Sequence, residues 1–224
     1  MGFVSGLLGV GGGLTIVPVL FFSFQHFYHL SSKIALQMAL ATSLAVIIPT
    51  LLSSVLAHYK HKNIIWPIVI SMLPGLVLGS LSSSFFLASL LPEKIIRVGF
   101  GLFCIYMAWK MFFPPKIDKY FDQFPSKLQL IFFGFLIGGL SSLLGIAGGS
   151  LSVSFLSYYN FPMKKIIGTS ALIGLPVALF GSVGFILAGL EYHHTSITGN
   201  VGYINLSAFI LICLGSIFIA PVGA

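Results

Sequence analysis

Gly9-Val-Gly-Gly-Gly13 and Gly145-Ile-Ala-Gly-Gly149 are two glycine clusters, and each lies between long apolar runs. A Thr-Ser pair follows each cluster, Thr42-Ser43 after the first and Thr169-Ser170 after the second. Duplicated glycine interruptions inside hydrophobic segments of membrane length are typical of transporters built from two structural repeats. The duplication therefore predicts the architecture and also the region in which a substrate would bind.

The composition is that of an integral membrane protein. Hydrophobic residues make up 57% of the 224 residues and charged residues only 7%, whereas a soluble domain carries about 25% charged residues. The formal net charge is +7, and nearly all of it falls in short stretches between apolar runs. This placement favours contact with anionic lipid headgroups over nucleic-acid binding. We therefore expect a multi-pass protein of the cell inner (plasma) membrane, with the lipid bilayer and no nucleic acid as partner.

Hydrophobic segments of about 20 residues, the length that spans a bilayer, divide the chain into two halves. We predict an all-α integral membrane protein, a polytopic helical bundle of two structural repeats with glycine-broken or re-entrant helices. The first repeat covers 1–113, a polar linker loop covers 114–127, and the second repeat covers 128–224 and lacks its last helix. The predicted segments are 3–24, 34–57, 64–90, 95–113, 128–158, 166–190 and 203–223.

The glycine clusters and their surroundings form an extended motif. The first half contains Gly6-Leu-Leu-Gly-Val-Gly-Gly-Gly-Leu-Thr-Ile-Val-Pro18, Ala41-Thr-Ser-Leu44, and His58-Tyr-Lys60 with Trp66 beyond it; the second contains Leu144-Gly-Ile-Ala-Gly-Gly149 and Ile167-Gly-Thr-Ser-Ala171. With these residues the chain resembles the sulfite exporter TauE/SafE family of membrane permeases over essentially its whole length, short of the final helix. The second half departs from the motif at Ala147 and Ser154, which stand where the first half has Gly11 and Pro18. The resemblance implies a permease for small anions, typically sulfite, sulfonates or other organic anions, in a prokaryotic inner membrane.

The glycines also indicate an anion site on physical grounds. A helix that begins after a glycine break presents free N–H groups and the positive end of its dipole, which together bind an anion without a cationic side chain. The alternative is close helix–helix packing through small residues, and the neighbouring hydroxyls have the alternatives of capping a helix or bonding to their own backbone. The candidate substrate-binding residues are Gly11, Gly12, Gly13, Thr15, Gln37, Thr42, Ser43, Gly148, Gly149, Ser150, Thr169 and Ser170.

The distribution of acidic residues narrows the class of substrate. Glu93, Asp118, Asp122 and Glu191 all fall at or near loops, so no acidic residue sits in the middle of an apolar run. Cation pathways and proton relays commonly use intramembrane carboxylates, so their absence from the apolar runs argues against both. We expect no cofactor and no metal, and the adjacent His193-His194 pair does not change this, because neighbouring side chains on extended backbone point apart.

Other functions compete with anion transport. The basic cluster formed by His58, Lys60, His61 and Lys62 is either an entrance that concentrates anions or a loop that contacts headgroups. The chain looks clipped at both ends relative to its own repeat, which favours as alternative a non-transporting membrane assembly protein or a truncated permease remnant. We expect no enzyme, because all six histidines lie at segment edges or in loops and a serine nucleophile needs a nearby base. A homo-oligomer is compatible with the sequence.

Overall fold

The computed structural model describes residues 13–87, 90–112, 125–159, 161–191 and 199–219. The described chain is helical apart from a short antiparallel hairpin, and the helix α3 ends in one π-helical turn, Ser83–Leu87. Gly11, Gly12 and most of the predicted linker lie outside the described residues. The elements are α1 Gly13–Phe27, α2 Ser32–Lys60, α3 Trp66–Ser82, α4 Glu93–Phe112, α5 Lys127–Leu143, α6 Gly149–Leu156, α7 Met163–Glu191, β1 Asn200–Val201, β2 Ile204–Asn205 and α8 Leu206–Ile219.

Three helical stretches are long and apolar enough to cross a membrane: Ser32–Lys60, Trp66–Phe86 and Met163–Glu191. The helices α1 and α5 are equally apolar but shorter, with 15 and 17 residues. These findings confirm the predicted all-α membrane protein. The number of crossings stays a prediction, since three of the seven predicted segments form spanning helices within the described ranges.

The helices α3 and α5 pack backbone to backbone through glycines spaced four residues apart, Gly75 and Gly79 on α3 and Gly134 and Gly138 on α5. A Cβ atom added to Gly75 would lie 2.0 Å from the carbonyl oxygen of Ile131, and one added to Gly138 would lie 2.6 Å from a backbone oxygen of α3. Small residues at this spacing let membrane helices approach closely and gain van der Waals contact, which replaces the hydrophobic driving force that is missing in lipid.

The buried apolar side chains form two large clusters, and both combine residues from before and after the linker. The first cluster joins α1 and α2 to the end of α7 and to the hairpin residues Tyr203 and Ile204. The second joins α3 to α5, α6 and the first half of α7. The two halves of the sequence therefore share one interior, and the glycine break of the second half lies inside it.

Candidate functional site

The break between α5 and α6 is a buried turn that glycine makes possible. Gly145 has φ +66°, a left-handed conformation that disfavours other residues. Its N–H donates to the carbonyl of Ser142 at 3.1 Å, and the N–H of Ile146 donates to the carbonyl of Ser141 at 2.9 Å. This pair of hydrogen bonds is the Schellman motif that closes a helix and satisfies its last carbonyl groups. The motif lets α5 end inside the protein without leaving its last backbone carbonyl groups unpaired.

The helix α6 begins at the same break with an uncapped N-terminus. Gly148, the N-cap residue, has φ +74° and provides no side chain, and no side-chain cap bond is recorded at this terminus. The first helical hydrogen bond runs from the N–H of Ser152 to the carbonyl of Gly148 at 2.9 Å. The N–H groups of the three residues between them therefore have no partner within the helix. They form the positive end of the α6 dipole.

The helices α5 and α6 run antiparallel from the break. A Cβ atom on Gly148 would lie 3.0 Å from the hydroxyl oxygen of Ser141, close to the turn. Further from the turn, the rings of Phe133 and Phe155 meet with centroids 4.5 Å apart. The chain thus forms a helical hairpin whose tip carries the end of one helix and the start of the next.

Serine hydroxyls collect around this tip without hydrogen-bond partners. Five buried serines have an Oγ with no partner among the described residues, and all five are at most 7% exposed. A buried hydroxyl that makes no bond costs about 1–3 kcal/mol, and native structures keep such groups where a ligand or ordered water uses them. The hydrogen-bonding capacity of these hydroxyls is therefore not used by any residue that the structure describes. They belong to Ser141, Ser142, Ser150, Ser152 and Ser182.

The end of the first glycine cluster contacts the break. A Cβ atom added to Gly13 would lie 2.7 Å from the carbonyl oxygen of Gly145, so only glycine permits this approach. The hydroxyl of Ser43, on α2, donates to the same carbonyl oxygen at 2.9 Å. The structure thus brings Gly13, Ser43 and the second cluster together from distant parts of the sequence. At Gly13 the packing interpretation of the glycines is supported directly.

The two predicted threonines make matching contacts on opposite sides of the break. Thr42 on α2 accepts a hydrogen bond from the N–H of Asn205, the residue directly before α8, at 3.1 Å. Thr169 on α7 accepts one from the N–H of Ile65, the N-cap residue of α3, at 3.0 Å. Each threonine therefore holds the start of a helix from the other half of the chain. The side chain of Asn205 also caps α8, because the N–H of Ala208 donates to Asn205 Oδ1 at 2.8 Å.

Removal of either threonine hydroxyl is expected to destabilise the protein. Thr42→Val keeps the shape of the side chain but leaves the buried N–H of Asn205 without its acceptor, at a cost of about 1–3 kcal/mol. Thr42→Ser restores an acceptor and should recover most of the loss. The free energy of unfolding in mild detergent measures both variants, and Thr169→Val with Thr169→Ser provides the matching test. Equal stability of the valine and serine variants would contradict the assigned contact.

The remaining predicted residues lie in different settings. Thr15 is exposed on α1, whereas Gln37 is buried on α2 and has interaction partners of its own. Ser170 is buried and donates to the carbonyl of Ile167 in its own helix at 2.8 Å. Of the five buried serines whose hydroxyls have no partner among the described residues, only Ser150 is among the predicted site residues. The adjacent pair Ser141-Ser142, directly before the second glycine cluster, was the available signal, and Ser182 in the middle of α7 gave none.

Charge is nearly absent around the break. The stretches 34–57, 128–163 and 166–190, which supply α2, α5, α6 and α7, contain no Asp, Glu, Lys or Arg. The nearest recorded cation is Lys110 at the end of α4, whose ammonium group donates to the hydroxyl of Ser154 on α6. That hydroxyl in turn donates to the carbonyl of Ser150 at 2.7 Å. Within the described ranges no group of three or more His, Cys, Asp or Glu side chains could hold a metal ion.

Comparisons with known proteins agree with this picture of a membrane carrier. The family model described as sulfite exporter TauE/SafE matches residues 1–224. A probable membrane transporter protein of Haemophilus influenzae is 33% identical over all of this chain and 83% of its own length. A probable membrane transporter protein of Methanocaldococcus jannaschii is 27% identical over all of this chain and 81% of its own length. The probable membrane transporter protein YunE of Bacillus subtilis is 30% identical over 84% of this chain and 75% of its own length. No solved structure matches the chain. The family description and these names indicate a transporter rather than an enzyme.

Proposed function

This chain belongs to the sulfite exporter TauE/SafE family of membrane proteins, and we propose that it is a secondary permease for small anions such as sulfite and sulfonates. One observation carries the proposal. The uncapped N-terminus of α6 lies at the break, and five buried serine hydroxyls with no hydrogen-bond partner among the described residues lie at or near it, in a part of the chain with no charged side chain of its own. An oxyanion accepts hydrogen bonds and donates few, so it is complementary to a site made of N–H and O–H donors.

The proposed site lies at the tip of the α5–α6 hairpin. The N–H groups of Gly149 and Ser150 and the hydroxyls of Ser141 and Ser150 are the nearest donors to the positive end of α6. Ser43 fixes the turn by its bond to the carbonyl of Gly145, and this keeps that oxygen engaged rather than directed at an anion. A site that uses dipoles instead of lysines binds an anion with moderate affinity. A permease requires this, because the substrate must also be released.

The length of α6 and the matching positions of the two threonines support a two-repeat, alternating-access design. With 8 residues the helix α6 is about 12 Å long, which is too short to cross a hydrocarbon core of about 30 Å. We infer that α5 and α6 form a re-entrant hairpin that enters and leaves on one side. Thr42 and Thr169 hold equivalent positions in the two halves, as expected if the halves are repeats. Transport then follows from rocking of one repeat against the other around the break.

The charge of the site predicts preference for monoanions over dianions. The helix N-terminus supplies only about half a positive charge, while the cost of moving an ion into a medium of low dielectric constant rises with the square of its charge. We expect methanesulfonate, a monoanion at every working pH, to enter proteoliposomes several-fold faster than sulfate. Sulfite uptake should rise as the pH falls, because the hydrogen sulfite fraction grows.

Methanesulfonate uptake measured over the same pH range controls for effects of pH on the protein. A flat methanesulfonate profile with a rising sulfite profile supports selection of the monoanion. Sulfate transport as fast as that of methanesulfonate, or sulfite transport that follows the dianion, would contradict the proposed electrostatics. Proteoliposomes that move none of these anions, although the protein in them is folded, would contradict the permease proposal itself.

A further inference from the structure

A groove on the outer side of the α5–α6 hairpin has no part in the proposed transport site. Its volume is about 730 Å³, within the range of 300–1,000 Å³ that is usual for ligand pockets. One wall is a stripe along α5 that includes Gln129, Phe133 and Leu140. The other wall is a stripe along α6 and the turn after it, which includes Leu151 and Tyr158.

The groove faces the surroundings of the protein, and its rim is apolar. Among the residues that line the groove, Leu136 and Leu140 on α5 are 38% and 52% exposed, and Tyr158 is 48% exposed. In a membrane protein such a surface contacts hydrocarbon, so the groove opens to lipid rather than to water. The contact between the rings of Phe133 and Phe155 gives it an aromatic floor.

The length of the groove corresponds to one leaflet. From Gln129 to Leu140 the α5 stripe advances eleven residues, or about 16 Å at 1.5 Å per residue. Half of a hydrocarbon core of about 30 Å is about 15 Å. An acyl chain that enters beside Gln129 would therefore reach Leu140 near the middle of the bilayer.

One end of the groove is polar, and two lysines lie beside the groove. Gln129 belongs to the first turn of α5, where its side chain and that of Ser126 complete a capping box. Lys127 is exposed in the same turn. Lys110 reaches the groove from α4 through its hydrogen bond to Ser154, which lines the wall. Tyrosines such as Tyr158 favour the headgroup level of a membrane, where an apolar ring can carry a wet hydroxyl.

The charge of Lys110 and Lys127 is not balanced by a carboxylate among the residues that the structure describes. Within the described residues Lys110 contacts a neutral hydroxyl and forms no ion pair with a carboxylate. The sequence from Lys110 to Lys127 contains four lysines against Asp118 and Asp122, which leaves a formal excess of positive charge whatever pairs those two aspartates make. A cation at the edge of the hydrocarbon is costly unless it finds an anionic partner.

We propose that this groove binds one anionic phospholipid, with an acyl chain between the α5 and α6 stripes and the phosphate at Lys110 and Lys127. The groove has the length of one leaflet, apolar walls and two lysines beside it, and together these features match an anionic lipid. The site is separate from the anion site of the proposed permease, so the two proposals can fail independently.

Native mass spectrometry of the purified protein, after exchange into defined lipid, tests the proposal. We expect retention of one phosphatidylglycerol molecule and much weaker retention of phosphatidylcholine. Lys110→Gln should weaken phosphatidylglycerol binding about fivefold, the contribution of one lysine at an anionic surface. Leu140→Trp should reduce binding by filling the far end of the groove, and it should spare folding because Leu140 is 52% exposed. Lys94→Gln, which removes an exposed lysine at the other end of α4, is the matched control and should change nothing.

Several results would overturn the proposal. Equal retention of the two lipids, or an unchanged affinity in Lys110→Gln, would exclude a headgroup site at this lysine. Binding of free glycerol phosphate as tight as that of the whole lipid would show an anion site without a role for the groove. A cross-link from Leu140→Cys to a second copy, or to the 113–124 segment of the same chain, would show that protein rather than lipid fills the groove.

Discussion

Gly75→Ala is expected to destabilise the protein by at least about 3 kcal/mol, the upper part of the range for overpacking a buried site. The added Cβ would lie 2.0 Å from the carbonyl oxygen of Ile131 and 2.7 Å from the N of Phe135. Both atoms belong to the backbone of α5, so no side chain can move aside, and the two helices must separate. The separation loses contact along the whole α3–α5 seam. Thermal or denaturant unfolding in detergent gives the change in free energy.

Gly99→Ala is the matched control for this prediction. Gly99 also lies within a helix, α4, but a Cβ there would meet nothing within 4 Å. Alanine has a higher helix propensity than glycine by about 1 kcal/mol, so this variant should be as stable as the wild type or slightly more so. Replacement of glycine by alanine should therefore lower the free energy of unfolding at position 75 and keep or raise it at position 99. A Gly75→Ala protein that unfolds like Gly99→Ala would disprove backbone-to-backbone packing of α3 on α5.

The double variant Ser141→Ala, Ser150→Ala should lose anion transport while keeping its stability. A hydrogen bond to a charged group contributes about 1.5–3 kcal/mol, so the loss of two predicts a reduction of about a hundredfold or more in uptake at low anion concentration. Both hydroxyls are buried and have no hydrogen-bond partner in the part of the chain that the structure describes. Their removal should therefore leave the free energy of unfolding unchanged or raise it. This combination separates a binding role from a structural one.

Ser80→Ala tests whether any buried serine would behave in the same way. Ser80 is fully buried, and its hydroxyl donates to the carbonyl of Leu76 in its own helix at 2.7 Å. Its removal should leave uptake per folded protein unchanged. Full transport by the Ser141→Ala, Ser150→Ala variant, or an equal loss in Ser80→Ala, would exclude the tip of the α5–α6 hairpin as the substrate site.

Local sequence patterns predicted the break and most of the helices. A glycine cluster between two apolar runs predicted the break, because glycine adopts positive φ without strain, and Gly145 and Gly148 do have φ +66° and +74°. Apolar runs of membrane length likewise predicted α2, α3 and α7 close to their observed bounds. These features depend on neighbours in the sequence, so sequence is enough to find them.

The features that the sequence did not predict depend on contacts between residues that are far apart in the chain. The bond from Asn205 to Thr42 joins residues 163 apart, and no local pattern distinguishes a threonine that holds another helix from one that lines a site. The same holds for the orphan hydroxyls, because Ser142 and Ser80 differ only in whether a carbonyl of their surroundings accepts a bond. The buried hairpin Asn200–Asn205 was also missed, since its polar residues are satisfied by each other, with Asn205 donating to Asn200 Oδ1 at 2.8 Å.

The most direct test of the anion site is equilibrium binding to purified protein, measured by the shift in thermal unfolding across a series of monoanion concentrations. Hydrogen sulfite, methanesulfonate and acetate form the panel, and a ligand that binds the folded state raises the apparent stability by mass action. We predict saturable stabilisation of the wild type by a sulfur monoanion, and binding about a hundredfold weaker or more in the Ser141→Ala, Ser150→Ala variant. Equal stabilisation of both proteins by the same anion would contradict an anion site at the tip of the α5–α6 hairpin.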